Sequence, residues 1–158
     1  AQGVQGVILY LTIYVAMTLG VFACILTMRR KEGMVYDIDE LAGLARSRPM
    51  MAFILAMLMF SLAGVPPLAG FFGKFYVFAA AMEAGLYTLA ILGVLTSVVG
   101  AFYYLRIVKL MYFDEPVEEF EPMPGELRVV LGLSGIFILF FVFVAAPLEA
   151  AATAAAQS

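Results

Sequence analysis

The chain has no histidine and a single cysteine, Cys24. Without an imidazole, histidine-based acid–base catalysis, haem ligation and metal binding are excluded. One thiol cannot build a disulfide or a cysteine metal framework within the chain. Cys24 lies inside an apolar run, so it is expected to be a buried structural thiol. Charge is scarce too. Only 13% of the 158 residues are charged, and the net charge of −3 argues against nucleic acid as a partner. There is no phosphate loop, nucleotide fingerprint, metal cluster or nucleophile–base pair, so nothing supports covalent or redox chemistry in this chain.

Apolar surface is abundant. Hydrophobic residues make up 65% of the chain, with a mean hydropathy of +1.03. Soluble domains are about 45–50% apolar, so the sequence describes an all-α polytopic membrane protein forming a single membrane domain. It opens Ala1-Gln2-Gly3 with no basic segment ahead of the first apolar stretch. That predicts no signal peptide, and a portion of a larger polypeptide. The Ala-rich end, Ala150 to Ala156, reads as a short tail.

Five spans are expected, over about 4–28, 49–64, 66–84, 86–113 and 127–147. Val4 to Met28 carries no charge. At about 1.5 Å per residue it more than crosses a hydrocarbon core of about 30 Å. Arg29-Arg30-Lys31 stop it at the headgroups. An amphipathic helix is predicted over 37–47, with Asp37 or Asp39 as cap and Leu41 and Leu44 on its apolar side. Pro49 to Gly85 is too long for one crossing, so it is predicted to fold back at Gly64-Val65-Pro66-Pro67, where proline ends one helix and starts another. In the span from Leu86 to Phe113, Gly93, Ser97, Gly100 and Ala101 favour close packing in lipid. Arg106 and Lys109 sit near its end as interfacial anchors. Asp114 to Glu126, with six acidic residues and three prolines, reads as an exposed loop. Glu83 and Glu149 are expected to be solvated near span ends.

Lys74 is the outlier. Between Pro49 and Met82 no other residue is charged. An ammonium in a bilayer costs several kcal/mol, so such residues rarely persist without a task or partner. Snorkelling of about 6 Å along a helix falls short from a midplane position. Gly70, Gly73, Pro66 and Pro67 surround Lys74 and predict a discontinuous helix around Gly70–Lys74, with freed carbonyls that can hold water. Ser61 and Tyr76 are candidate water contacts. Lysines taken out of bulk water can titrate near neutral pH, which a proton carrier requires.

The run Ser61-Leu62-Ala63-Gly64-Val65-Pro66-Pro67-Leu68-Ala69-Gly70-Phe71-Phe72-Gly73-Lys74-Phe75-Tyr76-Val77-Phe78 closely resembles the signature of a known family. That family is subunit N of bacterial proton-pumping NADH:quinone oxidoreductase, respiratory complex I, the counterpart of mitochondrial NADH dehydrogenase subunit 2. The flanks agree at Ile13 to Gly20, Asp39 to Ala45 and Tyr103 to Arg106. The resemblance implies the last five helices of an antiporter-like fourteen-helix fold, with Lys74 as a proton carrier on a discontinuous helix. It further implies a bacterial inner-membrane subunit with a periplasmic C-terminus, and a loop 29–48 outside. The weak excess of five basic residues in that loop over three near 106–128 points the other way. Expected partners are neighbouring membrane subunits, including antiporter-like ones, and phospholipid. NADH, FMN, iron–sulfur clusters and quinone are expected in other subunits, with no cofactor in this chain. Two rival readings fit the residues as well: a cation/proton antiporter subunit, and a structural or assembly subunit in which Lys74 only pairs with a partner's carboxylate.

Overall fold

A computed structural model describes residues 2–157. The long helix α1, Gln2–Thr27, is followed by a two-strand hairpin, β1 Arg29–Arg30 and β2 Gly33–Met34. A 3-10 turn at Ile38–Leu41 and the short α2, Leu44–Ser47, lead into α3, Pro49–Ala63. The remaining elements are α4 Ala69–Glu83, α5 Tyr87–Phe113, α6 Gly125–Leu139 and α7 Phe141–Gln157. Among the described residues, Gly3–Thr27 and Tyr87–Phe113 are each long and apolar enough to cross a membrane, and the bent pair α6–α7 would make one further crossing.

The predicted fold-back between Pro49 and Gly85 is not formed. Contacts along α1 reveal the direction of each neighbour. Gly6 meets Tyr76, Tyr10 meets Gly73, Met17 meets Ser61 and Gly20 meets Leu58. As α1 ascends, the partner number falls through α4 and then through α3. Both short helices therefore run antiparallel to α1 and parallel to one another. They are two halves of one interrupted path and not two crossings of opposite sense. The physical reason lies in the link. Gly64 closes α3 in the left-handed conformation at φ 91°, which glycine adopts without a Cβ penalty, and its N–H bonds back to Phe60 and Ser61. Proline ends a helix here, but Leu68 restarts α4 in the same sense. The break thus lies at 64–68, and α4 continues unbroken through Gly70, Gly73 and Lys74.

This continuation moves the two charged loops to the same end. Gly43 N–H donates to Leu110 O, Val117 N–H to Ala42 O and Glu121 N–H to Arg29 O. Arg30 ties the contact with a 2.7 Å bond to Glu40, a 2.7 Å bond to the Glu118 carbonyl and a guanidinium over the Phe120 ring at 5.4 Å. The comparison of loop 29–48 with 106–128 as opposite ends therefore fails.

Two smaller expectations also change. The helix over 37–47 splits at Gly43, where a Cβ would lie 2.5 Å from Pro116, and Asp37 makes no side-chain cap bond. Leu41 and Leu44 are buried as expected. The last apolar stretch is two helices inclined by 90°, and α7 runs past Pro147 through the Ala-rich segment.

The core sits where small residues let helices touch. A Cβ on Gly20 would lie 2.8 Å from Ser134 Cβ, and one on Gly135 would lie 2.9 Å from Ile54. Lipid offers no hydrophobic drive between helices, so this close approach and its dispersion contacts hold α1, α3 and α6 together. Cys24 is buried in that core.

Candidate functional site

The interruption between α3 and α4 leaves backbone groups without helical partners, and the site is built from what satisfies them. The last four carbonyls of a helix have no intrahelical donor. Phe60 O and Ser61 O accept from Gly64 and Val65 N–H. Leu62 O and Ala63 O are taken by Lys74, whose Nζ donates to them at 2.8 and 3.3 Å. The negative end of the α3 dipole points at the same ammonium, an added attraction of roughly 0.3–1 kcal/mol at an exposed surface and more where water is scarce.

Ser61 and Gly70 hold the crossing closed. Ser61 is fully buried, and its Oγ accepts the Gly70 N–H at 2.9 Å, satisfying one of the first-turn donors of α4. Ser61 Oγ also lies 3.0 Å from Met17 Sδ. A Cβ on Gly70 would lie 1.8 Å from Ser61 O, so no other residue fits this approach. Ser61 is thus a clamp across the break. A Cβ on Gly73 would meet Tyr10 at 3.4 Å, which makes Gly73 a packing position against α1. Pro66 and Pro67 lie in the link, joined by a cis peptide, and in no helix.

Lys74 opens onto a cavity of about 200 Å³ where the hydroxyl-bearing Tyr10, Tyr14, Thr96, Ser97 and Tyr104 alternate with Ile13, Met17 and Leu62. Liquid water occupies about 30 Å³ per molecule, so several waters fit among these hydroxyls. Tyr10 and Tyr14 stack at 5.9 Å on α1. The cavity lies near the mid-length of both long helices, α1 and α5. On the other flank of Lys74 a larger, mostly apolar cavity of about 360 Å³ is lined by Phe71, Phe75, Phe78 and Val98. Among the described residues no carboxylate forms an ion pair with Lys74.

Tyr76 does not join this site. Its hydroxyl donates to the Glu149 carboxylate on α7. Glu149 is only half-exposed, so it is bonded where a solvated position was expected. Glu83 is exposed at the end of α4 as expected. The sequence reading missed Tyr10, Tyr14, Thr96, Ser97 and Tyr104. Their one available signal is spacing: Tyr10 and Tyr14 share a face of α1, and Ser97, Gly100 and Tyr104 share a face of α5.

Residues 1–100 match the family described as NADH:quinone oxidoreductase/Mrp antiporter, transmembrane. The chain is 68% identical, over 99% of its length, to NADH-quinone oxidoreductase subunit N of Parvibaculum lavamentivorans. It is 62% identical to NADH-quinone oxidoreductase subunit N 1 of Rhizobium meliloti, again over 99% of its length. It spans 33% of the length of each of these relatives. Its fold is similar to a chain in a solved structure of respiratory complex I from Thermus thermophilus with bound aureothin. The TM-score is 0.80 at 32% identity, covering 92% of this chain and 34% of that one. The chain belongs to the NADH:quinone oxidoreductase/Mrp antiporter membrane family.

Proposed function

We propose that this chain is the lysine-bearing half-channel of an antiporter-like membrane subunit, subunit N of a bacterial NADH:quinone oxidoreductase, and that Lys74 carries a proton across the middle of the membrane. One observation carries this reading. The Lys74 amine is anchored on the two free carbonyls of a broken helix and faces a hydroxyl-lined cavity. An ammonium donates to Leu62 O and Ala63 O, and the α3 dipole favours its charge. Water in the cavity gives the proton a route on and off. A cation brought near on the missing part of the subunit raises the cost of the ammonium, because charges interact strongly where the dielectric is low. The proton then leaves as the neutral amine forms, and it returns when that cation withdraws. Quinone reduction supplies the energy, with NADH, FMN, iron–sulfur clusters and quinone held by other subunits.

The reading extends to orientation and partners. Arg29, Arg30, Lys31, Arg46, Arg48, Arg106, Lys109 and Arg128, eight of the nine basic residues, lie toward the end that carries loops 29–48 and 114–124. The turn at 84–86 has none. By the positive-inside rule the basic end faces the cytoplasm of a bacterial inner membrane. With α1, α3–α4, α5 and α6–α7 as four paths, the C-terminus then falls on the periplasmic side, and loop 29–48 lies inside rather than outside. The apolar face of α5, with Leu92, Val99 and Phe102 exposed, suits neighbouring antiporter-like subunits or the missing helices. Arg48 and Arg128 flank an apolar groove beside Ile54 and Leu131, which suits an anionic phospholipid at the cytoplasmic surface.

The test is Lys74→Met in the whole subunit within the assembled complex. The ratio of protons moved to NADH oxidised is expected to fall. A wild-type ratio would overturn the proton-carrier role.

A further inference from the structure

Lys74 and Tyr76 leave α4 in different directions, and each meets its own cavity along the seam with α1. The first is the hydroxyl-lined cavity bordered by Tyr10 and Ile13. The second, of about 320 Å³, is bordered by Gln5, Gly6, Tyr76 and Glu83. Between them α1 and α4 touch at Tyr10–Gly73, with Leu9 and Ile13 buried beside that contact. Glu83 is exposed at the far end of α4, so the second cavity leads toward the surface opposite the basic loops.

Beside this second cavity, the Tyr76 hydroxyl donates to the Glu149 carboxylate. Tyr76 stands seven residues into α4, about 10 Å from the break and about 10 Å from Glu83. Glu149 is half-buried on α7, and an ionisable group shielded inside a membrane bundle marks a pathway more often than a scaffold. Its fixed neighbour is a neutral hydroxyl. The acid lining that cavity is Glu83, the facing residues of α1 are Gln5, Gly6 and Leu9, and Glu149 meets the cavity through its bond to Tyr76.

We infer that Glu149, oriented by Tyr76, is a second proton-holding group between Lys74 and the surface at the Glu83 end. The inference rests on the proton-carrier reading of Lys74 and extends it by one station. The Lys74 ammonium gives its proton to cavity water. When water passes Leu9 and Ile13, the proton reaches the Glu149 carboxylate, leaving a neutral amine and a carboxylic acid. The acid then releases the proton through the Gln5–Glu83 cavity to bulk water, and the carboxylate is restored. No bond other than those to the proton changes.

The plain alternative is a tether: Tyr76–Glu149 only ties α7 to α4. Glu149→Gln separates the two. The amide oxygen still accepts the Tyr76 hydrogen bond and fills the same volume, but it takes up no proton. The experiment uses the full subunit in the assembled complex, reconstituted in vesicles, with Lys74→Met alongside and assembly checked on native gels. The expected result is an assembled Glu149→Gln complex whose proton-to-NADH ratio falls as far as that of Lys74→Met, with Glu149→Asp recovering much of it. A wild-type ratio in Glu149→Gln with a lowered ratio in Lys74→Met overturns the inference and leaves the function of Lys74 standing. A wild-type ratio in both overturns both. Failure of Glu149→Gln to assemble also overturns it, because the carboxylate would then be structural.

Discussion

The Lys74 amine lies 2.8 Å from the carbonyl oxygen of Leu62, twelve residues back across a helix break. The break produces the free carbonyl and the lysine satisfies it, so neither feature is stable in lipid without the other. The charge and the interruption are one device. Removing the lysine leaves Leu62 O and Ala63 O unpartnered, and closing the break leaves the ammonium without its acceptors.

Gly70→Ala tests the closeness of the crossing. The new Cβ would lie 1.8 Å from Ser61 O, against backbone that cannot yield, so α4 must shift away from α3. Overpacking of this kind costs about 1–3 kcal/mol or more. Thermal unfolding of the complex and its proton-to-NADH ratio should both drop. Gly132→Ala, with nothing within 4 Å of the new Cβ, should change neither.

Ser61→Ala removes the acceptor for the buried Gly70 N–H. Leaving a buried donor unpaired costs about 1–3 kcal/mol. The expected result is a lowered melting temperature of the subunit with proton movement per NADH largely kept. Unchanged stability would mean that Gly70 N–H has another acceptor.

Arg30 fastens the charged loops through four unlike contacts, and their strengths should differ. Glu40, at 2.7 Å and mostly shielded, should matter more than Glu118, whose carboxylate is 3.9 Å away and 78% exposed. Proteolysis of loop 114–124 in intact membranes should quicken markedly in Arg30→Gln and modestly in Glu40→Gln. In Glu118→Gln it should hardly change.

The four-path topology predicts accessibility to a membrane-impermeant thiol reagent. Glu119→Cys and Lys31→Cys should label from one face of the membrane, and Ala84→Cys from the other. Native Cys24 is buried and should stay silent. Labelling of Lys31→Cys and Glu119→Cys from opposite faces would restore the fold-back at 64–68.

Much of this was legible in the residues, and the exceptions have physical causes. Lys74 stood out because charge is rare in lipid, and Leu41 and Leu44 declared a buried face by their spacing. The break was legible in Gly64 and the two prolines, but its direction was not. A proline link is compatible with reversal or with continuation, and the choice rests on α1 meeting both halves in one order. That single ambiguity set the basic loops at opposite ends. Ser61 and Tyr76 stood out in the sequence as polar groups, but the partners the fold gives them were not legible there. Gly70 N–H and Glu149 become neighbours only when α3, α4 and α7 are packed. The hydroxyls of Tyr10 and Ser97 come from distant spans, and local sequence carries no sign that they converge.

The most direct measurement is the proton-to-NADH ratio of Lys74→Arg in the assembled complex. Arginine keeps the positive charge and can still donate to Leu62 O and Ala63 O, but it does not give up its proton under working conditions. The account predicts a complex that assembles and oxidises NADH with fewer protons moved per NADH. A ratio equal to wild type would contradict it, since a fixed charge would then serve as well as one that loads and empties.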